Sequence, residues 1–233
     1  MNHASPEHHD ASEVIVSGVS GSGNFRVEAR PFSPVAVTEG GTETFRVTEP
    51  GDVAAFSVGP SDQLLDVVVQ PTEGVSVDVT ITDSFGSTWS TEHADETSPA
   101  TYFPDTSVGP VQLLVEATDG RGDVTITSTP IETTSMSVSG VRRGSIRSPG
   151  QVLAFEIIVP DDAAYMVNVA PSIRFDAQLS ALDPYGQFDF NDGYSEGEAE
   201  ALSLASGPGR YRVIVGGAGD STGDFQISVQ STE

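Results

Sequence analysis

The sequence predicts an all-β protein: two tandem antiparallel β-sandwiches preceded by an extra β-hairpin. Three observations predict it. First, the chain repeats itself. Pro50-Gly51-Asp52-Val53-Ala54-Ala55-Phe56 returns as Pro149-Gly150-Gln151-Val152-Leu153-Ala154-Phe155, 99 positions on. Asp83-Ser84-Phe85-Gly86 returns as Asp183-Pro184-Tyr185-Gly186 after 100 positions, and Gly122-Asp123-Val124-Thr125-Ile126 as Gly223-Asp224-Phe225-Gln226-Ile227 after 101. Second, apolar residues alternate with polar ones, the period of a strand with one face in a core and one in water. Third, Gly, Pro and Asp clusters punctuate these runs at short intervals, as in sandwiches.

In chain order, residues 1–13 show no periodicity, carry three of the four His, and read as a flexible tail. Val14-Ile15-Val16, a Gly/Ser turn and Phe25-Arg26-Val27 read as a hairpin, and 14–34 is assigned to it and its linker. The same pattern recurs at Val213-Ile214-Val215 and Phe225-Gln226-Ile227, joined by a turn from Gly216 to Gly223 and also read as a hairpin. Residues 14–30 therefore look like the last hairpin of a further module.

Residues 35–130 are the first sandwich. Val75, Val77, Val79 and Ile81 point inward, as do Val111, Leu113, Val115 and Ala117, then Val124 and Ile126. The Pro-containing stretch from Thr129 to Thr133 reads as a linker. Residues 131–233 are the second sandwich, with Phe155, Ile157 and Val159, then Phe175, Ala177, Leu179 and Ala181, then Tyr211, Val213 and Val215 inward. Glu196 to Leu204 has helix-forming composition, but its place in a β repeat assigns it to strand or short turn.

The run Phe175-Asp176-Ala177-Gln178-Leu179-Ser180-Ala181-Leu182-Asp183-Pro184-Tyr185-Gly186, then Gly209-Arg210-Tyr211-Arg212-Val213-Ile214-Val215, then Asp220-Ser221-Thr222-Gly223-Asp224-Phe225-Gln226-Ile227, resembles the prokaryotic pre-peptidase C-terminal domain. The resemblance extends over both modules and residues 14–30. It implies a jelly-roll-like sandwich, of a kind appended to secreted proteases and other exported enzymes or arrayed on surface proteins. Where the family often carries a Gly-Asp-x-Asp-aromatic-Phe step, this chain has Ala54 at the second Asp, and Gln151 and Leu153 in the second module. The family's calcium and collagen binding are therefore not carried over.

The formal charge is −24, and every one of the ten cations is Arg. Such a chain repels phosphates, so neither nucleic acid nor an anionic membrane is expected as a partner. High external salt and a calcium-rich exterior both account for the acidity, and a GC-rich genome accounts for the missing Lys. There is no Cys, hence no disulfide. No stretch reaches the about 18–20 apolar residues of a membrane-spanning helix. Residues 1–13 lack the apolar region of a signal peptide, so export would require a leader already removed.

Catalytic motifs are missing. His93, the one His outside the tail, sits in a polar stretch read as an exposed loop. Gly18-Val19-Ser20-Gly21-Ser22 fails the GxSxG pattern at its last position, and no phosphate-binding fingerprint occurs. Asp83 and Asp183 recur in Asp-x-x-Gly turns, where Asp bonds its own backbone. Arg121-Gly122-Asp123 falls at the repeated turn before β-strand residues. Met1-Asn2-His3 has the donors of an amino-terminal copper or nickel chelate. No cofactor is expected. Asp189, Asn191, Asp192 and Glu196 are the candidate ligands of a loosely held Ca²⁺ or other cation, although the Gly spacing fails the EF-hand pattern.

These readings lead to a non-catalytic structural or assembly protein of an extracellular, cell or virion surface, in a halophilic or high-GC prokaryotic system. Self-association, or pairing with another shell or surface protein, is assigned to the strand edges of Val14, Ile15, Val16, Phe25 and Val27. The alternative is a set of accessory binding domains from a larger secreted enzyme. Trp89 is the one Trp, and aromatics are 7% of residues, too sparse for a typical glycan platform.

Overall fold

The computed structural model describes residues 33–83, 88–191, 193 and 195–232. Among the described residues, nine strands precede Glu132 and nine follow it. The first nine are β1 (Val35–Val37), β2 (Thr42–Val47), β3 (Val53–Val58), β4 (Leu64–Pro71), β5 (Ser76–Thr82), β6 (Thr88–Ala94), β7 (Ala100–Tyr102), β8 (Val111–Asp119) and β9 (Gly122–Ile131). The second nine are β10 (Thr133–Met136), β11 (Val141–Ile146), β12 (Leu153–Val159), β13 (Tyr165–Pro171), β14 (Ala177–Leu182), β15 (Phe188–Asn191), β16 (Glu200–Leu204), β17 (Gly209–Gly217) and β18 (Gly223–Ser231). A 3-10 turn, Thr106–Val108, lies between β7 and β8.

The repeat is a repeat of topology. Strands in the order β1-β3-β8-β5-β6 form one sheet of the first sandwich, and β2-β9-β4-β7 the other. The second sandwich has β10-β12-β17-β14-β15 and β11-β18-β13-β16, the same two orders shifted by nine strands. Phe56 pairs with Leu113 in β8, and Phe155 with Val213 in β17, so the two Phe occupy the same site in their halves. Each sandwich has its own core. Phe56, Val79, Ile81, Leu113 and Ile126 belong to the first; Phe155, Phe175, Leu179, Val213 and Ile227 to the second. The Phe155 and Phe225 rings meet edge-on at 6.3 Å in the latter.

Turn chemistry follows the repeat even where the residue changes. The Asp52 carboxylate accepts the Thr48 hydroxyl and backbone N–H, both at 2.7 Å, and the Glu49 N–H at 3.0 Å. These bonds, the hydroxyl's first, hold its pKa below the usual carboxylate range. At the matching corner, Gln151 Oε1 accepts the Arg147 N–H at 2.6 Å. The corner needs an acceptor and not a charge, so Asp and Gln both serve. Asp183 Oδ1 accepts the Tyr185 and Gln187 N–H groups at 2.8 Å, as expected of a turn residue. The counterpart turn after Asp83 falls outside the described residues.

The structure corrects three expectations. β17 and β18 are not a hairpin: β17 pairs with β12 and β14, while β18 pairs with β11 and β13. The turn carries the chain from one sheet to the other, and β8 and β9 do the same in the first half. Tyr211, Val213 and Val215 therefore meet Phe225, Ile227 and Val229 across the core. An alternating pattern is identical for both arrangements, which is why the sequence could not separate them. The sheets are antiparallel as expected, except that one edge pair in each half is parallel, β1 with β3 and β10 with β12. The chain leaves one sheet for β2 (or β11), reverses there, and returns in its original direction.

The stretch Thr129–Ile131 is strand, paired with Leu64–Asp66. The β2 ladder ends at Thr127, so Pro130 sits on a local edge where its missing N–H is tolerated. His93 lies in edge strand β6, not a loop. It faces Asp78 with Nδ1 3.0 Å from the carboxylate, exposed as expected. Val14, Ile15, Val16, Phe25 and Val27 lie outside the described residues.

Candidate functional site

The two sandwiches lie within one unit, Ser33–Glu233. Their junction is built from the tip of the first sandwich and the outer face of β12-β17-β14 in the second. At the tip, Leu64 opens β4 and bridges Asp105, just before the 3-10 turn. The Asp105 carboxylate caps that turn by accepting the Ser107 N–H at 2.9 Å. Thr106, fully buried, accepts the Ser61 N–H on Oγ1 at 3.0 Å and ties the neighbouring loop down. Opposite, Ala154, Leu182 and Ile214 project from the second sandwich. With Leu64 they form a separate apolar cluster, against which Phe103, Ile131 and Val152 pack.

Two arginines fasten the contact. Arg212, 1% exposed, forms a 2.7 Å ion pair with Asp105, 5% exposed, and donates to the Asp62 carbonyl. Arg210 donates to the Ser107 hydroxyl at 2.7 Å. Burial pushes the Arg212 pKa down and the Asp105 charge pulls it back up. A buried cation with a carboxylate and a carbonyl in reach is costly to desolvate and costlier to strand, so the pair specifies one docking geometry.

Beside this lock opens a cleft of about 730 Å³. Its first-sandwich wall includes Tyr102, Phe103, Asp83 and Glu92; the second contributes Val152, Ile214, Ser180, Phe188 and Phe190. Phe188 and Phe190 are 45% and 51% exposed on edge strand β15. The Tyr102 hydroxyl donates to the Val79 carbonyl at 3.2 Å, which fixes the ring, and burial raises its pKa. Partial desolvation in the wall raises the Glu92 pKa, against the Ser90 hydroxyl that lowers it. Among the described residues, no Arg lines the cleft. Aromatic faces beside carboxylates suit a neutral or cationic group and disfavour an anion.

The candidate cation ligands are placed as follows. Asp189 and Asn191 alternate with Phe188 and Phe190 along β15. Asp189 Oδ1 accepts the adjacent Phe190 N–H at 2.9 Å, and the Asn191 amide donates to the Ala201 carbonyl at 2.8 Å. Glu196 is exposed in the following turn, and Asp192 lies outside the described residues. Among the described residues, no three His, Asp or Glu side chains converge as a metal site. No described helix is long and apolar enough to cross a membrane.

Sequence reasoning missed the junction and the cleft. The signal was in the repeat's mismatches. By ladder register, Arg212 stands where the first module has Gln112, and Leu182 where it has Thr82. At these two positions the first copy is polar, on a face that nothing described covers, and the second is cationic or apolar, on the face that the first sandwich covers.

No protein-family model matches the chain, and no curated protein matches it. Among solved structures, the chain is similar to the pre-peptidase C-terminal domain of a Bacillus anthracis collagenase. That likeness has 15% identity over 43% of this chain and 96% of that one, with a TM-score of 0.38. It is also similar to PliG, a periplasmic g-type lysozyme inhibitor of Aeromonas hydrophila, at 18% identity over 42% and 98% of the two chains, TM-score 0.30. A third is the stem and receptor-binding domain of spike protein P1 from bacteriophage PM2, at 11% identity over 90% and 100%, TM-score 0.29. The fold class rests on the ladders themselves.

Proposed function

We propose that this protein is a non-catalytic building block of an extracellular, cell or virion surface, acting by assembly. The observation that supports this reading is the Arg212–Asp105 lock. A flexible tandem would need no buried ion pair between its domains; a strut or shell element, which must hold one shape, does. The charge of −24 without Lys fits a salt-rich exterior, where screening relieves self-repulsion. Strand addition through Val14, Ile15, Val16, Phe25 and Val27 is the proposed route of self-association or of joining another surface protein.

The test is light scattering at matched protein concentration from low to high salt, on the whole chain and on a chain lacking residues 1–34. Assembly predicts a mass above the monomer at high salt that the deletion abolishes. A monomer in every condition rules it out. The cleft favours a second reading, an accessory binding domain for a neutral or cationic ligand. In that case Phe188→Ala weakens binding and leaves the assembly mass unchanged.

A further inference from the structure

The covered face of the second sandwich has an uncovered twin. Ladder registers superpose the two faces residue by residue. The row Ala154, Ile214, Ser180 across β12, β17 and β14 corresponds to Ala55, Leu114, Thr80 across β3, β8 and β5. Val53 corresponds to Val152, one step along the strand from Ala55. In the second sandwich, Ala154 and Ile214 are each 2% exposed beneath the first sandwich's tip. In the first sandwich, Val53 is 40% and Leu114 42% exposed on a face whose alternation should make it polar. Three of the four apolar positions that receive the tip are thus kept where nothing described covers them.

A second observation sits in the same patch. Gln112 occupies the position of Arg212. Its Nε2 donates to the Ser57 hydroxyl at 3.1 Å, while its buried Oε1 has no hydrogen-bond partner among the described residues. A buried acceptor left open costs free energy, which a donor arriving from outside recovers.

We propose that the outer face of β3-β8-β5, centred on Val53, Ala55, Leu114 and Gln112, is the docking surface for the tip of a further sandwich of this repeat, carried by a partner chain. That tip resembles the one described above, with apolar residues to cover Leu114. Opposite Gln112 Oε1 it presents an N–H or O–H donor in place of the Asp105 carboxylate. A second copy of this chain is not the partner. Its first tip is already occupied by its own second sandwich, and its second tip lacks the equipment. Ladder register puts Ala164, Ser203 and Thr232 at the places of Leu64, Phe103 and Ile131, and the equal loop length puts Ala205 at the place of Asp105. The surface is built from other residues than those at 14–30, so removing residues 1–34 tests that route and substitution at Leu114 tests this one.

The experiment uses the whole chain and supplies the missing tip. Ala164→Leu, Ser203→Phe, Ala205→Asn and Thr232→Ile are introduced together and Gln112 is kept, so that the new amide supplies the N–H opposite Gln112 Oε1. The second tip of one copy then fits the first face of the next, a head-to-tail contact that propagates. Light scattering at rising concentration should give an average mass at least about twice that of the parent protein, the minimum for a head-to-tail pair. Adding Leu114→Asp should return it to the parent value. The proposal is overturned if the grafted chain, with unchanged circular dichroism, keeps the parent mass, or if the gain survives Leu114→Asp. It is also overturned if the parent alone associates and Leu114→Asp reverses this, which would make the face a contact between identical copies. Should the full graft disturb folding, Ala205→Asn alone decides the question, since Ala205 is exposed.

Discussion

Replacing Asp105 by Ala strands the Arg212 guanidinium in the junction. The magnitude follows from the burial. Both partners are at or below 5% exposure and 2.7 Å apart, so the range of 0–1 kcal/mol for surface pairs does not apply. Removing one partner of a buried pair costs about 3–5 kcal/mol, because the other charge stays desolvated. Loss of the Ser107 cap adds about 1 kcal/mol. Asp105→Asn keeps an oxygen for the cap and removes the charge, which separates the two contributions. The double variant Asp105→Ala with Arg212→Met replaces the pair by apolar atoms and should recover most of the loss, since such exchanges are often neutral. Urea unfolding at pH 7 and fixed salt, followed by circular dichroism and intrinsic fluorescence, measures all three. The junction joins two separate cores, so the single variants should also split one transition into two. A loss below about 1 kcal/mol for Asp105→Ala would place the pair with surface pairs and refute the reasoning. So would a double variant as unstable as the sum of its singles.

Two further outcomes follow from local physics. Asp66 is half-buried on β4 with a buried Oδ1 lacking a hydrogen-bond partner among the described residues, and desolvation raises its pKa above the ordinary 3.8. The folded state therefore holds this proton more tightly than the unfolded state. Its contribution is fully present below pH 3.8 and is lost as pH rises through the higher folded value. Asp66→Asn should accordingly raise stability at pH 7, with the gain shrinking toward pH 4 in urea titrations; an equal effect at both pH values contradicts this. Gly51 and Gly120 both have positive φ, +89° and +82°, but a Cβ on Gly51 meets open space, whereas one on Gly120 would lie 1.8 Å from the Gly74 carbonyl oxygen. Gly51→Ala should cost about 1–2 kcal/mol, and Gly120→Ala a further 1–3 kcal/mol, roughly the cost of overpacking. Equal thermal shifts for the two would show that the Gly74 backbone yields freely.

The candidate site was far less legible than the fold. Nothing singled out Arg212, Asp105 or Leu64 in the sequence, because each lies on a strand face or loop that reads as solvated when its own sandwich is considered alone. Asp105 sits in a Pro/Asp loop of ordinary turn composition. Phe190 lies among the candidate cation ligands Asp189, Asn191 and Asp192, and nothing in the sequence set it or Phe188 apart. The edge strand turns those two aromatics into the cleft wall.

By itself the sequence determined which side chains face inward. The alternation of Val75, Val77, Val79 and Ile81, and of Phe175, Ala177, Leu179 and Ala181, is a property of neighbouring residues on one strand, and the repeat made the two halves the same object. Only the tertiary structure decided which sheet each strand enters after its turn, since a period of two is the same within a ladder and across a core. It alone decided that the outer face of β17 is dry from Arg212 to Ile214. Burial of an outward residue depends on what another part of the chain lays over it, and that contact joins residues about 150 positions apart, as Asp62 and Arg212 are.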